Sequence, residues 1–526
     1  MNGVKPKMEN SKRKGIFYRV AGLITKQHII IPLIFVFSFI LFLLNNTHEQ
    51  LWYDEAITMY FSDLAFDNML NEIGFNGTES NPPLYHLVIK ALRIIFGDNL
   101  FILRGFSALC TSLMLVIIYW FVRKKLCNEI ALIATLTLLA NPVIISFAQE
   151  LRMYALVSLV VFLSIIFFYL WLDKNQKRFF FLYILFVIIG IYTHYYALFI
   201  IFISSAYFIK QISKKHTSHS RIMLIGFYVT GLAIILVAFL PWLLAFMQQI
   251  NAISDNNWTE TPDNLLFFKA ISYFVTTKFA RDVNIIPHFI ISSFILIVGA
   301  YGVYYSFRTK KYLNLIFLFL AGFITPLLLS FIYSSLFHSI INFRYFILFF
   351  PCYMILFAFG IYMIPYKKCS IILLIIYLLF ISPSIFTVYT ERFNGSAEDV
   401  AKYLQSTKSE SGLITFEASS YLTLYYYLER SDNLYYYSEQ QLSVSHGINI
   451  NSNNYYVGAA IEKIFHLHDS IYLIPTPWTM KQAEDLIDEF DDFIIDNHQP
   501  PVEFIEKNSW FRNKVIHLVK NMMSDN

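Results

Sequence analysis

Charge is scarce in this chain: Asp, Glu, Lys and Arg make up 14% of its 526 residues, against 57% hydrophobic residues. With so little charge and a mean hydropathy of +0.53, the composition excludes a water-soluble globule and describes a polytopic membrane protein. Cysteine is nearly absent. The four present, Cys110, Cys127, Cys352 and Cys369, lie in or beside apolar runs with no CxxC or Cys/His spacing, so nothing suggests a disulfide framework or a zinc motif. Internal repeats, low-complexity linkers and, in the tail, a phosphate-binding glycine loop are also missing. The first apolar run begins too far into the chain, and too many follow it, for a cleaved signal peptide, so it stays as a membrane span.

What positive charge there is falls in short clusters: Lys5 to Lys26, Arg123-Lys124-Lys125, Lys174 to Arg178, Lys210 to Arg221, Arg308 to Lys311, and Lys367-Lys368. Each sits directly against an apolar segment, which argues against a nucleic-acid surface and for cytoplasmic loops. Spans are then expected at about 28–45, 101–122, 129–146, 153–172, 179–193, 195–210, 221–243, 288–307, 313–335, 344–364 and 369–388, about eleven in all. The N-terminus is expected in the cytoplasm. An odd count puts the tail beyond Tyr389 outside, with two outer loops, about 46–100 and 248–287, the second holding the polar stretch from Ser254 to Trp258.

The tail differs in charge from the rest. From Glu391 onward it carries 10 Lys and Arg against 20 Asp and Glu, leaving 30 basic and 16 acidic residues before it. We expect residues 1–390 to form the membrane domain and 391–526 a soluble extracytoplasmic α/β domain, long enough for its own core. Helical spacing marks Ala397 to Leu404 and Met480 to Phe490; Gly412 to Phe416 and Ser470 to Pro475 resemble short buried strands. The tail shows no catalytic constellation, which fits a docking or lid role.

Unusual polar motifs all fall on the expected outer side. Asp54 and Glu55 stand together just past the first span, where adjacent acids are costly to desolvate and useful for proton transfer or cation binding. Asn81-Pro82-Pro83-Leu84-Tyr85-His86 places two prolines ahead of an apolar helix start. Arg104 lies at the mouth of the second span. Gln149-Glu150-Leu151-Arg152-Met153-Tyr154 occupies a short turn that, continued as helix, would put Glu150 beside Tyr154 and Gln149 beside Arg152. Tyr192-Thr193-His194-Tyr195 and Asn342-Phe343-Arg344-Tyr345 complete the set. Each has a plain structural account: snorkelling for Arg104, Arg152 and Arg344, an aromatic belt for His194, a helix start for His86, and ion pairing with Arg152 for Glu150. None of these explains why carboxylates, arginines and histidines recur on one face at similar depth. A transporter or lipid-carrier flippase, the other reading weighed, calls instead for ionisable groups near mid-membrane and repeat symmetry.

Taken in order, Trp52-Tyr53-Asp54-Glu55, Asn81-Pro82-Pro83-Leu84-Tyr85, Gln149 to Tyr154, Tyr192 to Tyr195 and Arg344-Tyr345 resemble the signatures of the GT-C membrane glycosyltransferases. The branch they resemble is that of the protein O-mannosyltransferases and the aminoarabinose transferase of lipid A, and Glu398 to Leu404 resembles the start of its soluble domain. The resemblance implies a GT-C fold. It also implies transfer of a sugar from a polyprenyl-phosphate carrier to a hydroxyl of a lipid, glycan or protein acceptor, with inversion, on the extracytoplasmic face of a prokaryotic plasma membrane.

By position Asp54 resembles the family's first-loop catalytic aspartate, with Glu55 beside it and Glu150 where a second acid occurs. Arg152, Arg344 and Arg104 become candidates for the donor phosphate; His86, Tyr85, His194, Tyr154 and Tyr345 become candidates for substrate contacts. Some members bind a divalent metal through Glu and His, but no ligand set stands out here, so a metal stays open. The lumenal module of the eukaryotic protein mannosyltransferases is missing from the sequence, so a protein acceptor does not follow. Sequons occur at Asn45, Asn76, Asn257 and Asn394, and matter only in a secretory-pathway protein.

Overall fold

The computed structural model describes residues 27–74, 79–213, 218–254, 262–263, 265–275, 285–390, 397–407, 411–428, 433–437, 455–456, 462–476, 479–489, 493–495, 502–504 and 513–520. The basic cluster from Lys5 to Lys26, most of the stretch from Ser254 to Trp258, and the sequons at Asn76, Asn257 and Asn394 lie outside them.

Helices dominate up to residue 390: α1 Gln27–Leu43, α2 Tyr53–Asp63, α3 Phe66–Gly74, α4 Leu84–Phe96, α5 Leu100–Lys125, α6 Asn128–Leu139, α7 Pro142–Ala148, α8 Tyr154–Lys174 and α9 Lys177–Thr193. They continue as α10 Phe199–Ile212, α11 Ser218–Phe239, α12 Leu243–Ser254, α13 Leu266–Val275, α14 Ile285–Thr309, α15 Leu313–Leu336, α16 Phe350–Met363 and α17 Lys367–Thr390. Short 3-10 turns, Tyr195–Leu198 and Phe343–Leu348, precede α10 and α16. Each of the eleven expected spans coincides with a helix or a helix pair. Among the described residues seven helices are long and apolar enough to cross a membrane, and eight if the pair α6 and α7, bent by 66°, counts as one. α1 and α16 are shorter apolar helices. The bend at Ala140 and Asn141 has a local cause: the Asn141 side chain accepts from the Val143 and Ile144 amides and Pro142 opens α7, so a new helix starts where the old one ends.

Packing sorts these helices. The apolar window of α8 is 72% buried within the protein and that of α17 only 11%, so α8 is central and α17 peripheral. The bare side of α17, with Ile371, Leu379 and Phe386, is as apolar as its packed side, as a lipid-facing helix must be. α14 and α16 meet at Gly360, where a Cβ would fall 2.0 Å from the Val298 carbonyl, so only glycine permits the approach. Among the described residues the basic clusters gather at one end of the bundle: Lys125 pairs with Asp173 at 2.6 Å, and Lys210 donates to the Leu313 carbonyl. The polar motifs gather at the other.

At that other end, the stretch between α1 and α5, expected as a long loop, folds into α2, α3 and α4. α2 has Asp54 and Glu55 in its first turn, where carboxylates are favoured by the helix dipole. α18 Ala397–Ser406 and α19 Ala418–Tyr427 pack on each other, and α19 packs on α2. Beyond them β1 Gly412–Thr415, β2 Leu434–Tyr437, β3 Tyr455–Tyr456, β4 Ser470–Ile474, β5 Phe493–Ile495, β6 Val502–Phe504 and β7 Asn513–Lys520 form one sheet, with α20 Glu462–Leu467 and α21 Met480–Glu489. Its order is β3-β2-β1-β4-β7-β5, with β6 also on β7. β1 runs parallel to β2 and β4, and β7 antiparallel to β4, β5 and β6. Ile414, Ile464, Ile471, Leu473, Leu486, Ile516 and Leu518 form a second apolar core there. The four tail elements expected from spacing are all present, within a residue or two of the expected ends.

Candidate functional site

Asp54 and Glu55 are neighbours in sequence but about 100° apart around α2, and they serve different partners. Glu55 is buried, its side chain only 1% exposed. Arg104 donates to it from Nε at 2.8 Å and Nη2 at 2.6 Å, the Leu151 amide adds a bond of 2.7 Å, and the Trp52 amide one of 3.4 Å. Arg104 spends its other N–H groups on the carbonyls of Asn46, Glu49 and Gln50. Every donor of the guanidinium is used inside the protein. Arg104 is therefore the strut that ties α5 to the chain ahead of α2, not a group open to a donor phosphate, and Glu55 is its counter-ion.

Asp54 faces a different side of the helix. Its Oδ2 lies 2.8 Å from Arg344 Nη1, and the side chains of the two are 21% and 31% exposed, so this pair is reachable where the Glu55 pair is not. Asn342 caps the 3-10 turn through the Arg344 amide, and the Arg344 guanidinium lies 5.4 Å above the Trp52 ring. The turn and the tryptophan together aim the arginine at Asp54.

Arg152 sits behind α2 and is 5% exposed. Its Nη1 donates to the Asp54 carbonyl at 2.9 Å and to Thr58 Oγ1 at 3.1 Å, and it lies 3.8 Å from Glu79 Oε2. Its Nε is buried with no hydrogen-bond partner. The turn from Gln149 to Met153 is not helical, since α7 ends at Ala148 and α8 begins at Tyr154, so the conditional pairing of Glu150 with Tyr154 on one helix face does not arise. Glu150 is buried and its carbonyl accepts from Ser107 at 2.7 Å.

His86 and His194 are both buried. Burial, with the Arg152 charge near each, pushes their pKa values down to about 3, so both are neutral imidazoles at physiological pH. His194 Nδ1 accepts from the Tyr196 amide, which leaves Nε2 buried without a partner. The His194 ring meets that of Tyr345 at 4.6 Å, and Tyr345 stacks on Tyr154 at 6.2 Å. Tyr85, 1% exposed, packs beside His86. The structure thus brings Asp54, Arg152, Arg344, His86, His194, Tyr154 and Tyr345 into one neighbourhood, with Tyr85 at its buried edge.

Sequence reading missed Glu79. This buried carboxylate accepts from the Asn81 amide and side chain at 3.1 and 2.6 Å, and sits 3.7 Å from His86 and 3.8 Å from Arg152. Its only signal was its place two residues ahead of Asn81-Pro82-Pro83. Tyr273 on α13, from the second expected loop, was missed too, and lies against Phe343 beside Arg344. Glu79 and His86 converge as two side chains of a kind that can ligate a metal. Among the described residues no group of three or more His, Cys, Asp or Glu side chains could hold a metal ion.

Residues 80–245 match the family described as dolichyl-phosphate-mannose-protein mannosyltransferase. No curated protein matches the sequence significantly. Among solved structures, the fold is similar to ArnT from Cupriavidus metallidurans in the apo state, with a TM-score of 0.60 and 13% identity over 95% of this chain and 98% of that one. It is also similar to ArnT from the same organism bound to undecaprenyl phosphate, with a TM-score of 0.55 and 14% identity over 94% and 98%.

Proposed function

We propose, from the premise that this multi-pass membrane chain has the GT-C glycosyltransferase fold, that it transfers a sugar from a polyprenyl-phosphate carrier to an acceptor hydroxyl. The carrier class is supported by the mannosyltransferase match over residues 80–245 and by the ArnT structure that holds undecaprenyl phosphate. The single observation that carries the chemistry is the accessible pair of Asp54 and Arg344, a carboxylate and a guanidinium within hydrogen-bond reach at one end of the bundle.

Asp54 is the general base. It takes the proton of the acceptor hydroxyl as the acceptor oxygen bonds to the anomeric carbon, while the bond from that carbon to the carrier phosphate breaks and its electron pair leaves with the phosphate. Attack from the face opposite the leaving group inverts the centre. Arg344 meets the charge growing on the phosphate, and Arg152, with its buried Nε open, supplies a second cation behind Asp54. His86 and His194, both neutral, suit hydrogen bonds to sugar hydroxyls rather than proton transfer at neutral pH. Glu150 and Glu79 set the field around Arg152. Glu55 holds the loop and takes no proton.

The site end of the bundle is extracytoplasmic on this reading. The described basic residues lie at the opposite end, as the charge bias of cytoplasmic loops demands, and the described elements of the tail lie on the site side. Incubating the purified protein with polyprenyl-phosphate-linked hexoses and pentoses, and following release of the free polyprenyl phosphate, tests the reaction. Consumption of at least one donor that is lost in Asp54→Asn is expected. No consumption of any donor, in the presence of lipid and glycan acceptors, would overturn it.

A further inference from the structure

The two residues directly ahead of Trp52 are bound to the tail. Gln50 and Leu51 are each 1% exposed. Gln50 donates from Nε2 to Asp399 Oδ2 and accepts at Oε1 from the Glu398 amide, both at 3.0 Å, so its side chain caps the first turn of α18 from outside. The Leu51 amide donates to the hydroxyl of Tyr427, the last residue of α19, at 2.7 Å. Gln405 of α18 donates to the Tyr427 carbonyl at 3.2 Å, so the two tail helices are joined at the same point. Leu51 precedes the cap of α2, and no carbonyl of that helix can serve its amide; a hydroxyl 376 residues away does.

We propose that Tyr427 and Gln50 are positioning residues: through them the tail fixes the start of α2, and with it the bearing of Asp54 on Arg344. The inference rests on the reaction proposed above. The path is short. Trp52 follows Leu51 and caps α2, and Asp54 stands in the first turn. A shift at Leu51 is passed to Asp54, while Arg344 keeps its own anchor in the turn capped by Asn342. The distance between the two would then change, and a displacement of about 1 Å at a reacting group is enough to cost about a hundredfold in rate.

The membrane helices hold this segment from one side only. Arg104 takes the carbonyls of Asn46, Glu49 and Gln50, and Glu55 takes the Trp52 and Leu151 amides. That leaves the Gln50 side chain and the Leu51 amide, and these are the groups the tail takes. Glu55 and Asp54 lie on different sides of α2, so the Arg104 anchor secures the inner face of the helix and not the face that meets Arg344. A tail that served only as a cover would need apolar contact with α2. Hydrogen bonds are directional, and those at Gln50 and Leu51 set a distance and an angle as well. Neither Tyr427 nor Gln50 lies in the neighbourhood of Arg344, His194 and Tyr345, so each acts through α2.

The test is a pair of measurements on the full-length protein in nanodiscs. Hydrogen exchange over residues 48–56, read by mass spectrometry, should quicken in Tyr427→Phe and Gln50→Met, which keep the side chain's shape and lose its bonds. Carrier consumption is followed with undecaprenyl phosphate esters of mannose, glucose and arabinose as donors, and with hexyl glucoside and mannotriose as acceptors. In Tyr427→Phe, kcat per folded molecule should fall about tenfold while donor KM holds, whereas a loss of folded protein alone leaves kcat per folded molecule unchanged. In an Asp54→Asn background the same substitution should cost nothing further, since no base is left to place. Unchanged exchange, or parental kcat in Tyr427→Phe, overturns the role; so does the full loss repeated on top of Asp54→Asn. A parent that consumes no donor overturns the reaction and the role with it, whereas an active parent whose kcat ignores Tyr427 overturns the role alone. If Gln50→Met loses its melting transition, Tyr427→Phe, which removes a single oxygen, decides.

Discussion

Asp54 Oδ2 and Arg344 Nη1 stand 2.8 Å apart, joining the first turn of α2 to a 3-10 turn 290 residues further along the chain. On the proposed reading these are the base and a phosphate ligand, and each holds the other until substrate arrives. A carrier phosphate competes with Asp54 for Arg344, so donor binding releases the carboxylate to accept a proton. Donor is therefore expected to bind before the acceptor hydroxyl is activated.

Asp54→Asn tests the base. The amide keeps the shape and one acceptor oxygen but not the basicity, so the variant should insert, melt and bind carrier as the parent does. Turnover should fall by about a hundredfold or more, the usual loss for a general base. Normal turnover in Asp54→Asn with loss in Glu150→Gln would move the role to Glu150.

Arg344→Lys separates planar recognition from charge. Lysine keeps the positive charge but loses the fork and the flat face over Trp52, so donor KM should rise or kcat fall by about tenfold. Arg152→Lys should also be impaired, because its guanidinium spans the Asp54 carbonyl and Thr58 at once. Parent kinetics in both variants would return the arginines to a lipid-headgroup role.

Glu55 and Arg104 should matter for folding. Removing one member of a buried ion pair leaves an uncompensated charge, at a cost of about 3–5 kcal/mol. Glu55→Gln and Arg104→Gln should therefore lower the yield of folded protein and its melting temperature, with residual activity in proportion to folded protein. A fully folded Glu55→Gln with no turnover would make Glu55 catalytic after all.

Acid should weaken the protein through His86 and His194. Their folded pKa values, about 3, lie below the ordinary 6.5, so between those limits the unfolded chain binds more protons than the folded one. The stability this provides is complete above pH 6.5 and is lost as pH falls toward 3, at about 1 kcal/mol per pH unit for each histidine. Melting followed from pH 7.5 to 5 should drop, and the slope should flatten in His86→Gln and His194→Gln. An equal slope in the variants would refute the assignment.

Hydrophobic run length is a local property, so each of the eleven expected spans coincides with a helix or helix pair, and the tail's helices and strands fall where their spacing put them. The stretch between α1 and α5 was less legible. α2, α3 and α4 are short and amphipathic, and they are stable only through tertiary packing, α2 on α4 and α19, α3 on α12, and α4 on α5 and α9, which no window of sequence displays.

The sequence alone determined that this is a multi-pass membrane protein and where its apolar helices lie, and that carboxylates, arginines and histidines collect beside one end of them, because composition and run length act on the chain locally. Only the tertiary structure decided which acid meets which arginine. Asp54 and Glu55 share a tetrapeptide, yet the 100° step of the helix turns one toward Arg344 and the other inward to Arg104, so one pair is reachable and the other sealed. Glu79 lies against His86 and Arg152, and Arg104 is spent on Glu55 and three backbone carbonyls, for the same physical reason. A charged side chain's task is set by which partners the fold brings within about 3 Å of it, and those partners are tens to hundreds of residues away in the chain.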